Sequence, residues 1–113
     1  MMSLRRDRQT DELFRSILTL QSVEECYQYF DDLCTVREVH DLGQRLEVAR
    51  RLKDGASYQQ AVDATGASTA TIGRVKKCLD YGTGGYRMVI GRMETLEKLQ
   101  QMGALEEGEM ACG

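Results

Sequence analysis

The chain has 113 residues, with 18 acidic and 15 basic side chains and a formal charge of −3. That length predicts one domain with a modest core. Proline and tryptophan are absent, good helix formers are plentiful, and no useful apolar–polar alternation occurs, so an all-α fold is expected.

With no secretory leader and no long apolar run in the sequence, a reducing cytoplasm is the expected location and a membrane is not expected as a partner. The four cysteines, Cys26, Cys34, Cys78 and Cys112, form no CxxC pair. Together with the single His40 they give no metal-ligand spacing, so no metal or cofactor is expected. Cys26, Cys34 and Cys78 read as small buried hydrophobes. An enzyme would need a nucleophile with a base, a metal set or paired carboxylates. None is evident, so the chain reads as a non-enzyme.

Residues 1–9 are expected to be a flexible basic arm, with Arg5, Arg6 and Arg8. A first helix over about 10–20 carries Leu13, Phe14, Ile17 and Leu18 on one face, with Thr10 as its cap. Ser22 and Glu25 have capping-box spacing for a second helix, whose Val23, Cys26, Tyr27, Phe30 and Leu33 follow helical steps. Thr35 and Glu38 repeat that spacing for a longer third helix. Its Val39, Leu42, Leu46, Ala49 and Leu52 mark the face expected to be buried, and Gly55 ends it.

Residues 57–79 organise the rest. Ser57 and Gln60 predict a capped helix from about Tyr58 to Ala64, Gly66 a left-handed turn, and Ser68 the cap of a further helix to about Leu79. Capped helix, glycine turn and capped helix form a helix-turn-helix layout. Ile72, Val75 and Leu79 make the buried stripe of the second helix. The segment Asp80–Gly85, DYGTGG, reads as a helix stop and turn. A last helix over about 86–102 follows, with Val89, Met93, Leu96 and Gln100 in one line and Tyr86, Ile90 and Leu99 widening its apolar face. The domain thus spans 10–102, and the acidic stretch 103–113 is expected to be disordered.

The start of the 68–80 helix points to double-stranded DNA. Thr69, Ala70 and Thr71 are short side chains with hydroxyls and methyls that let a backbone approach base edges. Arg74, Lys76 and Lys77 are of the type that pairs with phosphate. The total charge is acidic, but residues 68–92 hold five basic side chains against Asp80 alone. A solvated helical hairpin has the same pattern, so a protein-interaction module without DNA binding stands as the alternative reading. The apolar faces of the N-terminal helices exceed what a small monomer can cover, and a symmetric dimer would cover them.

The residues LGQR at 42–45, Asp54-Gly55, SYQQAVDATGASTATIGR at 57–74 and YGTGGYR at 81–87 resemble the Trp repressor superfamily, in its Trp-repressor-related branch. The resemblance covers about residues 10–100. It implies an intertwined all-helical homodimer that regulates transcription by binding operator DNA, with Ser68, Thr69, Ala70 and Thr71 facing the major groove. Gln59 and Val62 stand where the repressor has basic residues near phosphate, and Gly73 where it has a threonine. The family holds an amino-acid effector between two arginines, matched by Arg45 and Arg74, with Thr35 also matching a pocket residue. Cys78 replaces a serine that helps bind the amino group, Val75 replaces a glycine beside the ligand, and Cys34 replaces an apolar wall residue. These departures argue against tryptophan as corepressor, and leave three roles for the arginines: a pocket at Thr35, Arg45, Arg74 and Cys78 for an unknown small-molecule effector, a structural role, or contact with phosphate.

Overall fold

A computed structural model describes the backbone of residues 4–112 and the side chains of residues 4–103. The described residues contain six helices and no strand: α1 Arg8–Ile17, α2 Val23–Leu33, α3 Val36–Lys53, α4 Tyr58–Thr65, α5 Thr69–Tyr81 and α6 Gly85–Cys112. The chain divides into two compact units, Met1–Gly43 and Gln44–Gly113, and α3 runs through the boundary.

Helix starts follow local chemistry. Ser57 and Gln60 close a full capping box at α4, with both reciprocal bonds made. Thr35 and Glu38 do the same before α3: the Thr35 N–H donates to Glu38 Oε1 at 2.9 Å and the Glu38 N–H to Thr35 Oγ1 at 3.1 Å. Two donors otherwise orphaned at the helix start are thereby satisfied. Those bonds hold the Glu38 carboxyl below its ordinary range, the Thr35 backbone N–H being the main cause. At α2 the Ser22 hydroxyl accepts from the Glu25 N–H, but the Glu25 carboxylate reaches back to the Gln21 N–H rather than to that of Ser22.

The cap of α1 differs from expectation. Asp7, not Thr10, is the N-cap, and its carboxylate accepts from the Thr10 N–H at 2.8 Å. Aspartate is among the strongest capping residues, so the helix begins one turn earlier than Thr10 suggests. Arg8 consequently belongs to α1 and not to the basic arm.

The Met1–Gly43 unit holds α1, α2 and the first turns of α3. Ser16 and Tyr29 share a hydrogen bond of 2.6 Å, and the rings of Tyr29 and Phe30 meet edge to face at 5.9 Å. Neither α1 nor α2 has a buried residue. The expected burial of Cys26 is therefore corrected: its thiol is exposed in this chain, and Cys34 is half-buried. Val39 and Leu42 on α3 are also exposed.

The Gln44–Gly113 unit holds a core of Val48, Ala49 and Leu52 from α3, Ala61 from α4, Ala67 from the turn, Ile72, Val75 and Leu79 from α5, and Ile90 from α6. The α5 stripe is as the 3.6-residue period predicts. Among the described side chains of α6, Ile90 enters the core and Tyr86 packs against it, while Val89, Leu96 and Leu99 lie exposed. The Lys53 end of α3 closes in a Schellman motif. The Ala56 N–H donates to the Arg51 carbonyl and the Gly55 N–H to the Leu52 carbonyl, with Gly55 at φ 99°. Ion pairs then join α3 to α6: Arg50 to Glu97 at 2.9 Å and Lys53 to Glu94 at 3.2 Å. The backbone of the acidic stretch 103–112 belongs to α6, and its side chains from residue 104 onward lie outside the described residues.

Candidate nucleic-acid interface

The α4–α5 pair is built by its turn. Gly66 takes φ 73°, and its N–H donates to the Val62 carbonyl, closing α4. A left-handed residue there lets the chain reverse within three residues. The Thr65 hydroxyl donates to the Ala61 carbonyl and accepts from the Ala67 N–H, which pins the turn from inside. Ala67 is buried. Gln44 on α3 donates to the Thr65 carbonyl at 3.2 Å, tying the pair to the core. Ser68 then caps α5, accepting from the Thr71 N–H at 3.1 Å.

The residues expected to meet DNA are not equivalent in this geometry. Thr69 and Ala70 are exposed at the first turn of α5. Ser68 is exposed too, but its hydroxyl serves the cap and lies 3.1 Å from the Thr71 hydroxyl. Thr71 is half-buried. Arg74 and Lys77 follow one and two turns later on the exposed side of α5, and Lys77 makes no ion pair among the described residues. Lys76, by contrast, pairs with Asp80 at 3.3 Å. Arg87, from α6, also faces Asp80 at 3.6 Å, and its Nε–H donates to the Leu79 carbonyl at 3.0 Å. Asp80 is thus the hub of the positive stretch, a role that charge counting along the sequence does not reveal.

The presumed effector positions fall in both units. Thr35 lies in the Met1–Gly43 unit, its hydroxyl engaged in the α3 cap. Within the other unit, the charges of Arg45 and Arg74 and the Cys78 thiol all act on the phenol of Tyr86. Tyr86 packs half-buried against the core. Burial pushes its phenol above the ordinary range, the two arginines pull it down, and Cys78 adds to the rise. Reading α6 as an apolar stripe gives Tyr86 only a packing role; that the charges of both arginines reach it emerges only from the fold. Val75 is fully within the core, so its bulk is absorbed by α5 packing. Gln59 is bonded to Asp63, and Val62 packs against the core.

In the Met1–Gly43 unit, a mostly apolar cavity of about 340 Å³ is lined by Val23, Cys26, Tyr27, Phe30, Asp31, Cys34, Thr35, Val36 and Val39. Among the described residues no group of His, Cys, Asp or Glu could hold a metal ion. No described helix is long and apolar enough to cross a membrane.

A capped helix pair with a left-handed glycine turn, set on an all-helical core, is the arrangement against which known proteins can be compared. Residues 8–94 match the model of the Trp repressor protein family. The chain belongs to the Trp repressor family. Members of this family are generally helix-turn-helix regulators rather than enzymes. Among its relatives, the uncharacterized protein YerC of Bacillus subtilis (strain 168) is 53% identical over 92 residues, which are 81% of this chain and 88% of that protein. The crystal structure of a proposed Trp repressor from Staphylococcus aureus superposes with a TM-score of 0.77 at 53% identity, covering 79% of this chain and 89% of that one. A TrpR-like protein from Eubacterium eligens ATCC 27750 superposes with a TM-score of 0.72 at 44% identity, covering 74% and 87%. The Trp repressor match spans α1 through the first third of α6, so it takes in residues of both units.

Proposed function

We propose that the chain is a sequence-specific DNA-binding transcriptional regulator that acts as a homodimer through α4 and α5. The observation that carries this reading is the face of α5. Thr69 and Ala70 are exposed at its capped N-terminal turn, with Arg74 and Lys77 exposed along the helix behind them. Small groups at the helix start admit base edges, and the cations behind them suit phosphate.

The dimer is supported by the Met1–Gly43 unit. Leu18, Val23, Tyr27 and Val36 are each at least 66% exposed there, and α1 and α2 bury nothing. Large apolar side chains exposed together on one small unit call for a covering surface. A second copy supplies one and also presents a second α5 about 34–36 Å away, one turn of DNA.

Tryptophan is not the effector in this reading. The Cys78 thiol is a weak hydrogen-bonding group, and Tyr86, whose phenol feels the charges of Arg45 and Arg74, already packs half-buried against the core. Within the Gln44–Gly113 unit, Arg45, Arg74 and Cys78 offer groups that suit another small anionic effector. Calorimetry with free tryptophan should give no binding heat at millimolar ligand; saturable heat would overturn this part of the reading.

The regulator reading is tested by titrating the full-length protein into labelled duplexes, with Lys77→Glu beside the wild type. Wild-type binding should be saturable and weaken as salt rises, and the variant should bind more weakly. A variant that binds as well as the wild type would remove Lys77 from the interface.

A further inference from the structure

We infer that Asp80 is an internal stand-in for a phosphate group, holding Lys76 and Arg87 in the DNA-free protein and yielding them when DNA binds. The inference rests on the DNA-binding reading and deepens it. Lys76 Nζ lies 3.3 Å from one Asp80 oxygen and Arg87 Nη2 lies 3.6 Å from the other, so one carboxylate spans two cations from different helices.

Helix stability is a weak reason for an acid at this place, since an i,i+4 pair with the lysine first adds little. Asp80 sits in the last turn of α5, where the carbonyl ends carry partial negative charge and disfavour a carboxylate. Arg87 would hold that helix end without it, since its Nε–H already donates to the Leu79 carbonyl. All three side chains keep enough exposure to exchange partners, at 41%, 31% and 52% for Lys76, Asp80 and Arg87. Exposed pairs of this kind are weak, so a phosphate that also releases its condensed counterions can displace the carboxylate. The pairing therefore lowers affinity for all duplexes alike, because it acts on backbone contacts and not on base edges.

The test is anisotropy titration of the full chain against one duplex at several salt concentrations, with wild type, Asp80→Asn, Lys76→Gln and the double variant. Thermal unfolding confirms that each is folded. Asp80→Asn should bind several-fold tighter at a similar log–log salt slope, because the same cations reach phosphate in both complexes. The gain should shrink when Lys76 is already replaced by Gln. An equal gain with and without Lys76, or no gain at all, would overturn the inference while leaving the DNA-binding reading intact. Wild-type protein that binds no duplex at any salt would overturn both.

Discussion

At the scale of single residues, the helix boundaries come from a few side chains and two kinds of glycine. Gly66 is left-handed, and a Cβ there would meet nothing within 4 Å. Gly66→Ala should therefore cost only the conformational penalty of about 1–2 kcal/mol, seen as a lower thermal midpoint with the exposed α5 residues unaltered. Gly82 has an ordinary φ of −80°, but a Cβ there would be driven into the Cys78 carbonyl oxygen. Gly82→Ala should thus destabilise more than Gly66→Ala; the reverse order would contradict these backbone roles. Glu38 adds a pH dependence. Its folded carboxyl titrates below the ordinary value of 4.5 because the charged form accepts from Thr35. Its contribution is present above that ordinary value and is lost as pH falls through the lower folded one. Glu38→Gln should flatten that part of the acid unfolding curve, and an unchanged curve would show that the cap does not titrate in the folded chain.

At the scale of elements, what could be read from the sequence was what is local. Ser57 with Gln60, Thr35 with Glu38, Gly66 and Ser68 act across two to four residues, and each does so here as its spacing predicts. Thr10 misled because Asp7, three residues earlier, is the stronger claimant to the same turn. Burial was less legible, since it depends on which segment covers a face. Val48 is fully buried while Leu42, on the expected stripe, is 48% exposed. The pairing of Arg50 with Glu97 joins residues 47 positions apart, and nothing local announces it. Of the candidate site, the α5 start was readable, whereas the engagement of Lys76 and Arg87 by Asp80 and the place of Tyr86 required the packed helices. The α5 stripe also gives a stability expectation. Ile72 is fully buried between α5 and its neighbours, so Ile72→Ala should destabilise by about 2–5 kcal/mol. Denaturant unfolding measures this, and a loss well under that range would mean the core closes around the gap.

At the scale of the whole molecule, the account joins two claims, a second copy and a duplex. The first predicts that Tyr27→Glu or Leu18→Glu, each placing a charge on an exposed apolar position, shifts the protein from dimer to monomer in sedimentation and weakens DNA binding. Monomeric wild-type protein at micromolar concentration would contradict it. The second is the central claim, and selection of bound duplexes from a random pool, followed by salt-dependent anisotropy on the selected sequence and a scrambled one, tests it most directly. The account expects one enriched sequence class, with binding to it surviving to higher salt than binding to the scrambled duplex. No enrichment, with both duplexes released at the same salt, would contradict it.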